Sequence, residues 1–148
     1  MIQIKKAEGI SWLLPLTRSE LRLCVETICT AIGHEGASLD LNLVSDAEVA
    51  ELNRTFLGCD GPTNILSFPS TDADSISDMP AGWHMGWLAL SLDTTIREAL
   101  LYHQDVTEHA LRLIAHGTLH LAGYDHSEEM FDLTEKAAAS ALAALATA

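Results

Sequence analysis

Apolar residues recur along this chain in two rhythms, and the switches between them mark its elements. Ile2 and Ile4 alternate with polar neighbours, as in a short strand. Thr17-Arg18-Ser19-Glu20 then has the form of a capping box, and Leu21, Cys24, Val25, Ile28, Cys29 and Ile32 follow at helical spacing until Gly33. Leu39, Leu41 and Leu43 return to alternation, which predicts a strand buried on one side. A second capping box, Ser45-Asp46-Ala47-Glu48, opens a short helix carrying Val49, Leu52 and Phe56, and Gly58, Gly61 and Pro62 break it.

Residues 64–68 read as a strand closed by Pro69, and residues 85–91 as the next. Trp87 in that strand offers either a surface for base stacking or an edge-strand contact with a neighbouring helix. Residues 70–84, rich in Ser, Asp, Gly and Pro and without an apolar period, predict a surface loop. Three helices follow. One begins near Asp93 with Ile96, Ala99 and Leu100; one begins near Thr107 and buries Leu111, Ile114 and Leu121. The last follows Ser127, with Glu128 and Glu129 in the first turn and a stripe of Met130, Leu133, Ala137, Ala141 and Leu145. No repeat or linker divides the chain. The expected fold is α+β: a small mixed four-stranded sheet packed with about five helices, one domain over residues 1–148, with a metal site in a cleft.

A length of 148 residues is enough for one real core. No stretch resembles a signal peptide or membrane span, so a cytoplasmic protein with no membrane partner is expected. The three cysteines form no C-x-x-C pair and their odd number argues against a disulfide framework. Charge narrows the choice of partners. With 21 acidic and 8 basic residues the net charge is −13, and no basic stripe for nucleic acid is visible. Much of the acidity is local, at Asp72, Asp74 and Asp78 and at Glu128, Glu129, Asp132 and Glu135, which leaves room for a small positive cleft around a divalent ion.

The chemistry concentrates in His116-Gly117-Thr118-Leu119-His120-Leu121-Ala122-Gly123-Tyr124-Asp125-His126. On a helix, His116 and His120 stand about 40° apart around the axis and roughly 6 Å along it, so both rings reach one ion. Gly123 is the residue type that ends a helix in a left-handed turn, which lets His126 approach from a third direction. Three imidazoles with a free fourth position form a catalytic zinc arrangement, expected to hold one Zn²⁺ and its water. Asp125 is a candidate to orient a ring. Gly117 occupies the place where H-E-x-x-H peptidases carry their general base, so phosphodiester hydrolysis fits better than peptide hydrolysis. His34, His84, His103 and His109 lack the turn-back context and read as surface or core residues, and Thr63 and Ser67 as satisfying backbone groups or offering hydroxyls to a phosphate.

The run from His116 to His126 resembles the H-G-x-L-H-L-x-G-Y-D-H signature of the bacterial YbeY family of single-strand-specific, metal-dependent endoribonucleases. Leu52-Asn53-Arg54-Thr55-Phe56-Leu57-Gly58-Cys59-Asp60-Gly61-Pro62-Thr63-Asn64-Ile65-Leu66-Ser67-Phe68-Pro69 is similar to that family's second block, and both stand in the family's order. The resemblance implies rRNA maturation at the 3′ end of 16S rRNA, ribosome quality control, and contacts with the small ribosomal subunit and its assembly factors. It does not indicate an oligomeric state.

Two positions depart from the pattern. Leu57 stands where the family usually has an Arg, and Trp87 follows Gly86 where an Asp is usual. Arg54, about one helical turn before Leu57, is the candidate to bring a guanidinium to the same cleft. These departures keep open a second reading, a metal-stabilised ribosome-assembly factor with little or no turnover; a zinc peptidase is the third.

Overall fold

The computed structural model describes residues 1–148. Its strands are β1 (Ile2–Lys6), β2 (Ser38–Val44), β3 (Ile65–Pro69) and β4 (His84–Ser91), in the order β1-β2-β4-β3. β1, β2 and β4 run parallel and β3 returns antiparallel to β4, which makes the predicted mixed four-stranded sheet. The helices are α1 (Arg18–Ala31), α2 (Asp46–Leu52), α3 (Leu92–Leu101), α4 (Val106–Leu121) and α5 (Glu128–Thr147). No helix is long and apolar enough to cross a membrane.

The apolar rhythms explain the layers. Ile2, Ile4, Leu39, Leu41, Leu43, Leu88 and Leu90 project from one sheet face into the main core, where the buried stripes of α1, α4 and α5 meet them. Burial of fully enclosed side chains such as Leu41 or Ile114 stabilises by about 1.5–3 kcal/mol each. The opposite face carries a smaller cluster of Val44, Val49, Leu66 and Ala89 beneath α2. Both capping boxes form: Thr17 Oγ1 accepts from Glu20 N–H at 3.0 Å while the Glu20 carboxylate accepts from Thr17 N–H at 2.9 Å, and Ser45 and Glu48 repeat the pattern. Cys24 and Cys29 are buried on α1, where burial pushes each thiol up to about 11.

Four local expectations change. α2 stops at Leu52 and passes into a π-helical turn (Asn53–Leu57), pinned by Asn53, whose buried amide donates to the Gly61 carbonyl at 3.0 Å. Phe56, placed on the helix stripe by spacing, is therefore exposed, and so is Leu100 at the end of α3. Residues 70–84 contain a 3-10 turn (Ala73–Asp78) whose Ile76 packs against the main core. β4 lies between β2 and β3, so Trp87 is not on an edge strand. Its pairing with β2 shifts register near Gly86, a bulge at φ +133° where a Cβ would collide with the Phe68 carbonyl.

Candidate metal centre

α4 is started by Asp105, whose carboxylate accepts from Glu108 N–H at 3.1 Å. One side packs into the core through Leu111, Ile114, Ala115 and Leu119, which leaves His116 and His120 half-buried on the side facing the cleft. Their Nε2 atoms lie 3.1 Å apart. The helix ends in a Schellman turn: Tyr124 N–H donates to the Leu119 carbonyl and Gly123 N–H to the His120 carbonyl, each at 3.0 Å, with Gly123 at φ +89°. This turn folds the chain back so that a ligand atom from each of His116, His120 and His126 lies within 4.8 Å of the others.

The donor set fits a divalent first-row ion. Zn–N bonds of about 2.0–2.1 Å require nitrogen separations of roughly 3.3 Å around a tetrahedron, which these rings meet with small side-chain adjustment. Carbonyl oxygens only accept, so the 3.0 Å contact between His120 Nδ1 and the Tyr124 carbonyl puts the ring proton on Nδ1 and leaves the Nε2 lone pair for an ion. Burial, reinforced by the charges of His120 and His126, pushes His116 down to about 4. Burial also lowers His120. Both rings are therefore neutral near neutral pH, the state in which an imidazole can bind an ion.

The triad opens onto a cleft of about 660 Å³ bounded by β3, the 3-10 turn and the end of α4. Thr63, Ser67, Leu57 and Asp125 line it, and no Lys or Arg does. Ser67 Oγ donates to the Gly117 carbonyl at 3.0 Å, which matches the backbone-satisfying role expected for it. Asp125 lines the cleft but makes no hydrogen bond to a ring; the orienting oxygen is the Tyr124 carbonyl instead. The expectation that Arg54 reaches the cleft is not met. The π-helical turn leaves Arg54 exposed and paired with Glu51, and it is Leu57 that faces the opening.

The family model described as Endoribonuclease YbeY matches residues 12–142. The chain belongs to the YbeY endoribonuclease family. It is 43% identical over 150 residues to Endoribonuclease YbeY of Oleidesulfovibrio alaskensis, covering 91% of this chain and 89% of the relative. The Nitratidesulfovibrio vulgaris YbeY is 41% identical over 148 residues, covering 90% of each. The solution structure of a Thermotoga maritima protein matches with a TM-score of 0.66 at 28% identity, covering 99% of this chain and 93% of the other.

Membership of YbeY makes the chain one of a family of nuclease hydrolases, and it gives the departures from the YbeY pattern a physical meaning. Leu57 puts an apolar side chain into the wall of the cleft. Trp87 turns away from the cleft and stacks on Phe68, with ring centroids 3.9 Å apart and planes 13° apart. The remaining histidines stay outside the triad. His109 is buried with Nε2 at 3.0 Å from the Glu98 carboxylate, His84 lies 3.7 Å from Asp40, and His34 packs on the edge of Trp83.

Proposed function

We propose that this chain is a zinc-dependent, single-strand-specific endoribonuclease of rRNA maturation, with one Zn²⁺ held by His116, His120 and His126. In this reading it acts at the 3′ end of 16S rRNA and in ribosome quality control. A single domain over residues 1–148 does the work in the cytoplasm, with the small ribosomal subunit and its assembly factors as partners. The observation that carries the proposal is the convergence of three imidazole nitrogens within 4.8 Å at the floor of an open cleft, in a chain of the YbeY family.

When bound, the ion supplies Lewis acidity toward a phosphoryl oxygen and an acidified water. The protein's own part is positional. Tyr124 holds His120 in the ligating tautomer, and Gly123 brings His126 to the same point. A side chain at Gly117 would run into Ile65, Leu88 and Ser67, so the position that bears the general base in H-E-x-x-H peptidases faces the sheet. This disfavours peptide hydrolysis. A net charge of −13 predicts weak affinity for naked RNA and leaves much of the targeting to a partner complex.

The test is incubation of zinc-loaded protein with a single-stranded rRNA fragment and, separately, with casein. RNA is expected to be cut and casein left intact, and His120→Ala should remove both bound metal and cleavage. Cleavage that persists unchanged in His120→Ala would overturn the metal mechanism. A specific observation keeps the assembly-factor reading alongside: the cleft wall has Leu57 and no cation. That reading wins if the protein binds metal and ribosomal subunits without cutting RNA while Leu57→Arg cuts.

A further inference from the structure

A second hollow of about 420 Å³ lies on the other side of the triad, between α4 and the start of α5, and shares His116 and His126 with the main cleft. Its size falls within the roughly 300–1,000 Å³ of small-ligand pockets. We infer that it takes one nucleotide of a single-stranded RNA bound at the triad, with the base against Phe131 and the phosphate at Arg112. This inference rests on the nuclease reading above and deepens it by naming a subsite.

Arg112, His116 and His120 are spaced by four along α4, so they form one stripe. The backbone of Arg112 therefore lies about 6 Å along the helix from that of His116. The main cleft has no Lys or Arg, whereas this hollow has Arg112 in its wall. Arg112 Nε donates to Glu135 Oε1 at 2.9 Å and Nη1 to Gln104 Oε1 at 3.0 Å. A guanidinium has five N–H donors, so several stay available to a phosphate while these two contacts fix its plane. The apolar part is complementary. Leu113 and Met130 are buried behind the hollow, while Phe131 is 64% exposed on its wall. An exposed phenyl ring beside a fixed guanidinium suits a base and its phosphate, because stacking accepts any base and needs no groove-wide positive field. That fits a strongly acidic nuclease better than a basic stripe would.

Binding of a labelled single-stranded oligouridylate to the zinc-loaded protein, read by fluorescence anisotropy in the cold, tests the inference, with cleavage of an rRNA fragment followed in parallel. Phe131→Ala should weaken binding about tenfold at unchanged circular dichroism and metal content. Arg112→Gln should weaken it and reduce the slope of log K against log salt by about 0.7. Glu135→Gln breaks the same ion pair from the other side but frees the guanidinium, so it should bind as tightly as the wild type or tighter. If Arg112→Gln and Glu135→Gln weaken binding alike, the pair is structural and the inference falls. It falls also if Phe131→Ala and Arg112→Gln bind like a wild type that cleaves, an outcome that leaves the nuclease reading standing. A wild type that neither binds nor cleaves the RNA overturns both.

Discussion

The Nδ1 of His120 donates to the backbone carbonyl of Tyr124 at 3.0 Å, so the turn that ends α4 also sets the tautomer of a candidate ligand. Gly123 is the residue on which that turn depends. At φ +89° a side chain is strained, and a Cβ there would lie 2.8 Å from Ile76 Cδ1 and 3.2 Å from Ala73 Cβ. Gly123→Ala should therefore displace both the Tyr124 carbonyl and His126. Loss of such a supporting contact typically lowers metal affinity by about 10–100-fold. Competition with a chromophoric zinc chelator measures it, and affinity equal to the wild type would show that the turn does not organise the ligands.

Gly117 lies inside α4 on the side that faces the sheet. A Cβ would meet Ile65 Cδ1 at 2.9 Å and Leu88 Cδ2 at 3.0 Å, both far ends of side chains that can yield. Gly117→Ala gains about 1 kcal/mol in helix propensity against a packing cost of about 1–3 kcal/mol, so it should range from neutral to about 2 kcal/mol destabilising. Gly117→Glu is different, because overpacking adds to the burial of an unpaired carboxylate. Destabilisation of roughly 3 kcal/mol or more is expected, with no gain of casein hydrolysis. Urea unfolding reads the first and a peptidase assay the second. A stable Gly117→Glu protein that digests casein would revive the peptidase reading.

Where periodicity and turn chemistry act locally, the sequence was sufficient. The two capping boxes, the α1 stripe from Leu21 to Ile32 and the Gly123 stop all follow from contacts within a few residues. What escaped it depends on partners far along the chain. The exposure of Phe56 follows from Asn53 reaching Gly61, and the stacking of Trp87 from its register with Phe68. Arg54 missed the cleft because a π-helical turn rotated the segment, which no apolar spacing records. Arg112 carries a readable signal, its four-residue spacing from His116. The Tyr124 carbonyl, a backbone atom, has no residue signature at all.

His116 also links the site to pH. An unfolded histidine takes up its proton near pH 6.5, whereas burial pushes folded His116 down to about 4. Between those values the unfolded chain binds more protons, so the metal-free protein loses stability as pH falls through that window and keeps it in full above. The lowered His120 acts in the same direction. The urea midpoint of metal-free protein should be lower at about pH 5 than at about pH 7.5, and His116→Gln should shrink the difference. A difference of the same size in His116→Gln would remove His116 as its source.

The cation-free wall of the main cleft yields a paired prediction. Leu57→Arg places a guanidinium beside the triad and should raise RNA cleavage about tenfold, a conservative share of what a positioned charge contributes. Arg54→Ala should change the rate by less than about twofold, since an exposed pair with Glu51 contributes little. Initial rates on a single-stranded fragment decide it. A large loss in Arg54→Ala would mean that the π-helical turn rearranges when RNA binds.

Trp87 and Phe131 make opposite predictions from the same residue class. The Trp87 face is covered by Phe68 at 3.9 Å, and Phe56 closes on it edge-on at 6.3 Å, so the indole belongs to the packing of β3 on β4. Such aromatic pairs contribute about 0.5–1.5 kcal/mol beyond their burial. Trp87→Ala should accordingly destabilise by roughly 2–4 kcal/mol in urea unfolding while leaving oligouridylate affinity unchanged. Phe131 has no aromatic partner and is mostly exposed, so its removal should leave the unfolding midpoint in place and lower the affinity. If instead Trp87→Ala keeps its stability and loses RNA, the indole faces the substrate in solution and the RNA path runs across the sheet, away from the hollow beside α5.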